Sequence, residues 1–469
     1  MNKLPHFTGW TLLSLLLVLG CAAGARIWYV ATCADNGKRD PALLVQGPTP
    51  LGHFPEGTAI RGRTPPTQLD NLVANLAKHQ WFGCLSPLTQ DEERTAHTAP
   101  GYPMLFSVVV CWTDSADALM RWLQCALGSL TVGCYFFFAR RAFHSTLIAI
   151  LTGLLCAFHP FWIINTAELN DGVLVSFLVG VSIALGARCS QTGHAVTGLG
   201  FGLALAGVAL TRAALLPFAM VALLWFLWQC RRLPSGWFAG FLALFGFVNG
   251  LAPWSIRNYS VFDRPIPIAT STYLHLWMGN NPQATGSTLD EAALRGTLSD
   301  DRVKALLNEP NQAKRYDQLS VECWQEIQDH PAETLSRRIN AALVFVLGER
   351  WLEQRRLGMM LKKSDHVAEA PDRLRDHAET ILHATLLASL VLALLGWRWS
   401  YSWRRYGRMA SIAAVWMPLP YVLSHAEYLS GPRLPLDGVL LCFAAFAMAS
   451  MIPGLVSTPR SAAKLNQEA

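Results

Sequence analysis

The chain has 469 residues, of which 52% are hydrophobic and only 15% charged, and its mean hydropathy is +0.27. A soluble chain of this length would carry roughly a quarter charged residues, and no soluble core could hide this much apolar surface, which excludes an ordinary globular protein. The net charge of +6 sits at the ends of apolar segments, so it argues against a nucleic-acid partner.

About 20 apolar residues are needed for a helix to cross about 30 Å of hydrocarbon. Ten segments answer to that description in chain order: Trp10–Val30, Ala118–Ala139, Leu147–Asn165, Gly172–Gly186, Val196–Leu210, Leu215–Trp228, Trp237–Trp254, Thr380–Trp397, Met409–Leu423 and Leu436–Leu455. Pro100–Trp112 is apolar but short, and reads as a re-entrant or interfacial segment, or as an eleventh span. The sequence therefore predicts an all-α polytopic membrane protein of about 10–11 spans. It divides at residues 1–254, 255–379 and 380–469 into a first bundle, a loop region and a last group of spans.

The N-terminal segment has two readings. Lys3, the apolar run Leu12–Leu19 and the string ending in Cys21 resemble a cleaved lipoprotein signal. The apolar character continues to Val30, however, and favours an uncleaved anchor. Arg140–Arg141, Arg188, Arg231–Arg232, Arg398 with Arg404, Arg405 and Arg408, and Arg460–Lys464 follow alternate spans. Loops rich in Arg and Lys stay cytoplasmic. The expected arrangement is thus a cytoplasmic N-terminus in a plasma (inner) membrane, with residues 31–115 and 255–379 on the outer side.

The first long loop opens with an irregular stretch, Asp35–Pro66, and then shows apolar residues at Leu69, Leu72, Val73 and Leu76. This is helical spacing with one apolar face and Asp70 and Asn71 on the other. It predicts a short helix on the membrane surface, its end seated at the interface by Trp81–Phe82. The acidic run Asp91–Glu93, then His97, then Pro100-Gly101-Tyr102-Pro103 follow. Carboxylates and a histidine at a membrane edge suit acid–base chemistry or a metal, with a solvated charge cluster as the alternative.

The second long loop begins Trp254-Ser255-Ile256-Arg257-Asn258-Tyr259, passes through Gly279-Asn280-Asn281-Pro282, and becomes helical and polar over Asp290–Ile339. Ala341–Trp351 reads as an apolar segment on the membrane surface. Elsewhere Glu168 and Asp171 mark one span edge, and His425, Glu427 and Arg433 another; carboxylates at such depths are functional candidates. Arg212 stands alone and suits snorkelling to headgroups. Of the eleven cysteines, Cys125, Cys134, Cys156 and Cys442 lie in spans as small apolar residues. Cys33, Cys84 and Cys323 allow one disulfide in any of three pairings.

In order along the chain these features resemble the bacterial GT-C glycosyltransferases, the polytopic group that includes protein O-mannosyltransferases and lipid A aminoarabinose transferases. The matching features are the first span, the loop helix, Pro100-Gly101-Tyr102-Pro103, a span ending Ala139-Arg140-Arg141, His159-Pro160, and Glu168–Asp171. They continue with Leu210-Thr211-Arg212, Arg257-Asn258-Tyr259 with Gly279-Asn280-Asn281-Pro282, and Arg433-Leu434-Pro435.

The resemblance implies transfer of a sugar from a polyprenyl-phosphate donor to a lipid, glycan or protein acceptor at the outer face, with inversion. It implies a carboxylate base in the first loop, where Asp70 is favoured and Asp91, Glu92 and Glu93 are alternatives, with His97 beside them. Tyr102, Glu168, Asp171, Arg212, Arg257, Asn258, Tyr259, Asn280, His425 and Arg433 become substrate-binding candidates, Arg257 and Arg433 as holders of the donor phosphate. Some members of the group use a divalent metal at the phosphate, but no metal ligands are assigned here. The acid of the first loop is displaced from the usual place, which falls near Pro65. A catalytically altered relative that binds without turnover is therefore one alternative, and a small-molecule transporter is the other.

Overall fold

The computed structural model describes residues 9–33, 68–79, 81–85, 92–113, 115–233, 236–286, 299–347, 371–400, 404–425 and 432–452. Helix α1 (Gly9–Cys33) stands before the first loop, which contributes α2 (Gln68–His79) and two short strands, β1 (Gly83–Leu85) and β2 (Glu92–Arg94). The bundle continues with α3 (Gly101–Trp112), α4 (Ala116–Phe143), α5 (Thr146–Ala157), α6 (Pro160–Asn165), α7 (Gly172–Thr192), α8 (Ala195–Thr211), α9 (Leu216–Cys230) and α10 (Gly236–Phe262). The second loop holds α11 (Thr272–Met278), α12 (Asp300–Leu307), α13 (Gln312–Asp317), α14 (Leu319–Asp329) and α15 (Pro331–Leu347). The chain closes with α16 (Pro371–Trp399), α17 (Arg404–Trp416), α18 (Leu419–Leu423) and α19 (Leu434–Ser450).

Among the described residues, α1, α4, α7, Ala213–Cys230 and α10 are long and apolar enough to cross a membrane. Shorter apolar helices are α3, α5, α8, Ala384–Trp399 within α16, and α19. The protein is an all-α polytopic membrane protein, and each expected span falls on one or two helices, except the end of Leu436–Leu455, where the helix stops at Ser450 and residues 453–455 lie outside the described residues. Several extents differ from the sequence reading. Leu147–Asn165 is two helices, because Pro160 lacks a backbone donor and holds His159 in an extended conformation (φ −64°, ψ 115°). Met409–Leu423 is likewise divided at Met417–Pro418. In contrast α10 runs through Pro253 to Phe262, so the second loop starts at Asp263 and the Arg257-Asn258-Tyr259 string lies on a helix.

Packing between spans relies on small residues. In α8, Gly198 and Gly202 lie four apart, and a Cβ on Gly202 would come within 1.9 Å of the Ala243 carbonyl of α10. The two backbones therefore touch, as small-xxx-small spacing permits where lipid supplies no hydrophobic drive. The loop elements also bury apolar faces. The α2 face expected on the membrane surface instead packs into protein: Leu72 shares a cluster with Phe82 and Trp254, and Val73 one with Tyr102 and Phe106. Phe82 is buried edge-on against Trp254, with ring centroids 4.7 Å apart, rather than seated in the interface. The acidic run becomes part of a two-stranded antiparallel ladder, with Cys84 opposite Glu93. Cys84 and Cys323 are both buried, and Cys323 is a free thiol, so the two do not pair with each other; the Cys33 side chain lies outside the described residues.

The break at His159–Pro160 leaves the last carbonyls of α5 without intrahelical donors. Arg26, fully buried in α1, supplies them: its guanidinium donates to the carbonyls of Ala157 (3.2 Å) and Cys156 (3.5 Å), and to Ala22 within its own helix (3.0 Å). Gly128 of α4 makes room, since a Cβ there would lie 2.8 Å from Arg26 Nε. Arg26→Met should therefore lower stability by about 1–3 kcal/mol, the cost of leaving buried carbonyls unsatisfied. Gly128→Ala should act through the same arginine, so the double variant should lose less than the sum of the two singles. Thermal unfolding in nanodiscs measures the cycle, and strict additivity would show that Gly128 and Arg26 are not coupled.

Candidate functional site

The described parts of both long loops, the turns at 165–171 and 211–213, and the segments 424–425 and 432–433 meet at one end of the bundle, in three connected groups. The first group fastens the two loops together. Arg257, near the end of α10, donates to the carbonyls of Phe82 and Thr95 at 2.8 Å each, and its guanidinium lies 4.9 Å from the Trp254 ring centroid. Trp254 Nε1 donates to the Ile268 carbonyl (2.7 Å), and Asn258 Nδ2 donates to those of Ile266 and Ile268. Gln312 of α13 accepts from the Ala96 amide and the Thr270 hydroxyl and donates to Glu93 (2.8 Å). Arg315 completes this knot with hydrogen bonds to Glu93 at 3.0 and 3.2 Å, both side chains being well buried. Glu93 is thus a buried partner of an arginine, and Arg257 and Asn258 are occupied with backbone carbonyls. Tyr259 is exposed on α10.

The second group joins the Gly279–Asn281 turn to α18. Arg338 of α15 donates to the carbonyls of Gly279 (2.8 Å), Val422 (2.8 Å) and Ser424 (3.0 Å), and also to Asn280 Oδ1. Asn280 in turn donates to Leu276 and Leu423. A Cβ at position 279 would fall 1.8 Å from the Ser424 carbonyl, so the turn requires glycine to come this close. Beside it, His275 Nδ1 and His425 Nε2 are 3.1 Å apart, and the His97 ring lies 5.8 Å from that of His275. Burial lowers all three histidines: His97 to about 3 and His425 to about 3, each with a further push from His275, and His275 to about 4.

The third group lies beneath α2. Leu69 and Val73 of α2 share an apolar cluster with Tyr102, Phe106 and Leu169, which sets the Asp70-bearing helix on the turn that carries Glu168 and Asp171. Tyr102 donates to Gln124 (3.0 Å), and Gln124 donates to the carbonyls of Thr166 (2.9 Å) and Glu168 (2.8 Å). Arg212 and Asp171 form a two-point pair at 2.8 and 2.5 Å, with Tyr421 of α18 beside the guanidinium. The expectation of a solitary snorkelling Arg212 is corrected by that pair. The Glu168 side chain is exposed, and no hydrogen bond or ion pair holds its carboxylate among the described residues. The side chain of Asp70 lies outside the described residues, as do Asp91 and Glu427.

Arg433, the other expected phosphate holder, is buried at the start of α19. It donates to Asp437 (2.8 Å) and to the Val346 carbonyl, and Asp437 faces His159 at 3.9 Å. Arg257 and Arg433, the two expected phosphate holders, are thus both engaged by groups of the protein itself, and Arg212 is the substrate-binding candidate cation that lies at the 165–171 turn. Sequence reasoning missed Gln312, Arg315, Arg338 and His275. Arg338 looks like any cation on a polar helix, but His275, four residues before Gly279, had a usable signal in its place beside the Gly-Asn-Asn turn. Among the described residues no group of three or more His, Cys, Asp or Glu side chains is arranged to hold a metal ion, and no step is assigned to one.

No protein-family model and no curated protein matches this chain. Solved structures of the oligosaccharyltransferase of Archaeoglobus fulgidus are similar to it. One, tethered to an acceptor peptide containing the NVT sequon, shares 13% identity at a TM-score of 0.44 and covers 95% of this chain and 50% of its own. The apo form shares 14% at 0.43, covering 96% of this chain and 51% of its own. A third, in complex with an inhibitory peptide and a dolichol-phosphate, shares 11% at 0.43, covering 97% of this chain and 53% of its own. The chain thus spans about half the length of those structures, and so distant a likeness assigns no activity.

Two measurements follow from this geometry. Gly279→Ala should cost about 1–3 kcal/mol by forcing the turn off the Ser424 carbonyl, and Arg338→Ala should free the same turn. Limited proteolysis between residues 279 and 338 reports either change; unaltered cleavage in both variants would mean that the turn is held elsewhere. The histidine group makes stability depend on pH. Each folded value lies below the ordinary 6.5, so the unfolded chain binds more protons in between. The stability they allow is complete above about pH 6.5 and is lost as pH falls toward about 4. His275→Gln should flatten the pH dependence of the unfolding temperature across that window, and an unchanged slope would remove the group from the acid response.

Proposed function

We propose that the chain is a membrane glycosyltransferase of GT-C type, moving a sugar from a polyprenyl-phosphate-linked donor to an acceptor hydroxyl at the outer face of the membrane. The observation that supports it most is the third group: a first-loop helix bearing Asp70 set on a turn with an exposed carboxylate, Glu168, beside the Asp171–Arg212 pair at the span ends. A lipid-linked donor presents its phosphate at that depth. Carboxylates there can take an acceptor proton, and a guanidinium held in a fixed orientation can receive phosphate oxygens.

In this reading Asp70 accepts the acceptor proton as the acceptor oxygen attacks the anomeric carbon. The bond from that carbon to the phosphate oxygen breaks, configuration inverts, and polyprenyl phosphate departs against Arg212. Glu168 orients the acceptor. Tyr102 and Gln124 act as positioning residues by fixing the turn that carries Glu168, and Glu93 positions the first loop through Arg315. Arg257, Asn258, Asn280 and Arg433 hold the walls of the site, and His425 its rim.

Purified protein in nanodiscs, given a panel of polyprenyl-phosphate sugars and an extract of envelope lipids and peptides, should release polyprenyl phosphate. Asp70→Asn should lower kcat on the order of 10²–10⁴-fold, the usual worth of a general base. Glu93→Gln should lower the unfolding temperature more than it lowers kcat. Full activity in Asp70→Asn with loss in Glu168→Gln would transfer the base to Glu168. No release from any donor by folded protein would sink the transferase reading.

A further inference from the structure

Helix α15 carries an apolar stripe that is largely exposed among the described residues. Leu335, Ile339, Leu343 and Val346 are spaced four, four and three apart, and are 62%, 55%, 45% and 37% exposed. That spacing places them along one side of the helix, while Arg337, Ala341, Val344 and Phe345 are buried on the other. Exposed polar residues, Glu333 and Ser336, occur only toward its N-terminal end, so the stripe grows more apolar toward Leu347.

The surroundings of α15 fix its position. Phe345 stacks on Tyr421 of α18, with centroids 5.6 Å apart and planes at 27°. Arg338 donates to the Val422 and Ser424 carbonyls at the end of α18, and Arg433 at the head of α19 donates to the Val346 carbonyl. The helix is thus pinned between the end of α18 and the head of the apolar helix α19. Leu419 and Leu423 of α18, the helix on which α15 packs, are exposed apolar residues as well.

We propose that α15 is an interfacial helix whose apolar stripe rests in the headgroup–acyl boundary of the bilayer, so that lipid is the occupant of this face. The exposed apolar residues of α18 beside it, and its attachment to the end of α18 and the head of the apolar helix α19, favour lipid over a protein partner. Of the expected surface segment Ala341–Trp351, the structure buries Ala341, Val344 and Phe345 in protein, and residues 348–351 lie outside the described residues. The proposal does not depend on the transferase reading. Through Arg338 the same helix holds the Gly279–Asn281 turn, so anchoring in lipid sets the height of that turn above the membrane.

The test is site-directed photo-crosslinking of the full chain in phosphatidylcholine–phosphatidylglycerol nanodiscs, with benzoylphenylalanine at Ile339, at Leu343, at exposed Glu333, and at Leu16 of α1. Mass spectrometry should find phospholipid adducts at 339, 343 and 16, and none above background at 333. Leu335 substitutes for either stripe position should a variant fail to elute as the folded protein. Adducts at 16 but none on the stripe would overturn the proposal. So would adducts from 339 or 343 to a second copy of the chain, which would make the face a subunit contact, or to another segment of the same chain.

Discussion

Backbone carbonyls that lose their helical donors near a membrane must find others, and in this protein arginine side chains supply them. Arg26 serves the end of α5, Arg121 the Ala167 carbonyl, Arg257 the strand-side carbonyls of Phe82 and Thr95, Arg338 the end of α18 and the Gly279 turn, and Arg433 the Val346 carbonyl near the end of α15. Water cannot reach such groups cheaply, and an unsatisfied one is costly. A guanidinium has five donors in a fixed fork, so one side chain can join two or three segments at once. Several connections between the two loops and the spans are of this kind, and they hold the candidate site together.

That use of arginine also explains where functional reading from sequence goes astray. A cation near a span end is compatible with donor phosphate, with headgroups or with a carbonyl, and composition cannot separate the three. Arg257 and Arg433 look like phosphate ligands until their donors are traced to Phe82, Thr95, Val346 and Asp437. Arg212 looks solitary because Asp171 lies 41 residues away. Glu93 reads as a free acid until Arg315, more than two hundred residues later, is found against it. Apart from Asp437, four residues from Arg433, these partners lie far along the chain.

Breaks in helices give the site its shape. His159–Pro160 turns the chain so that α6 and the 165–171 turn rise at the loop end, and Met417–Pro418 does the same for α18. The α18 segment then touches both sides of the site: Tyr421 lies by the Arg212–Asp171 pair, while Ser424 and His425 meet the Gly279 turn and His275. A straight helix through either proline would leave these groups apart.

The sequence by itself determined the class of protein, the position of nearly every span and the presence of a helix over residues 68–79. These follow from hydropathy and periodicity, which are local properties. It also placed Glu168 and Asp171 as candidates, since carboxylates at span edges stand out against apolar neighbours, while Tyr102 and Arg212 became candidates through the family resemblance. Only the tertiary structure decided that α2 buries its apolar face in protein, that the acidic run pairs as a strand, that Cys84 and Cys323 stay apart, and that α15 turns its stripe outward. Those outcomes depend on which distant surfaces meet. Whether an apolar face meets protein or lipid, and whether a guanidinium meets a carbonyl or a carboxylate, is set by packing between segments that the linear pattern does not relate.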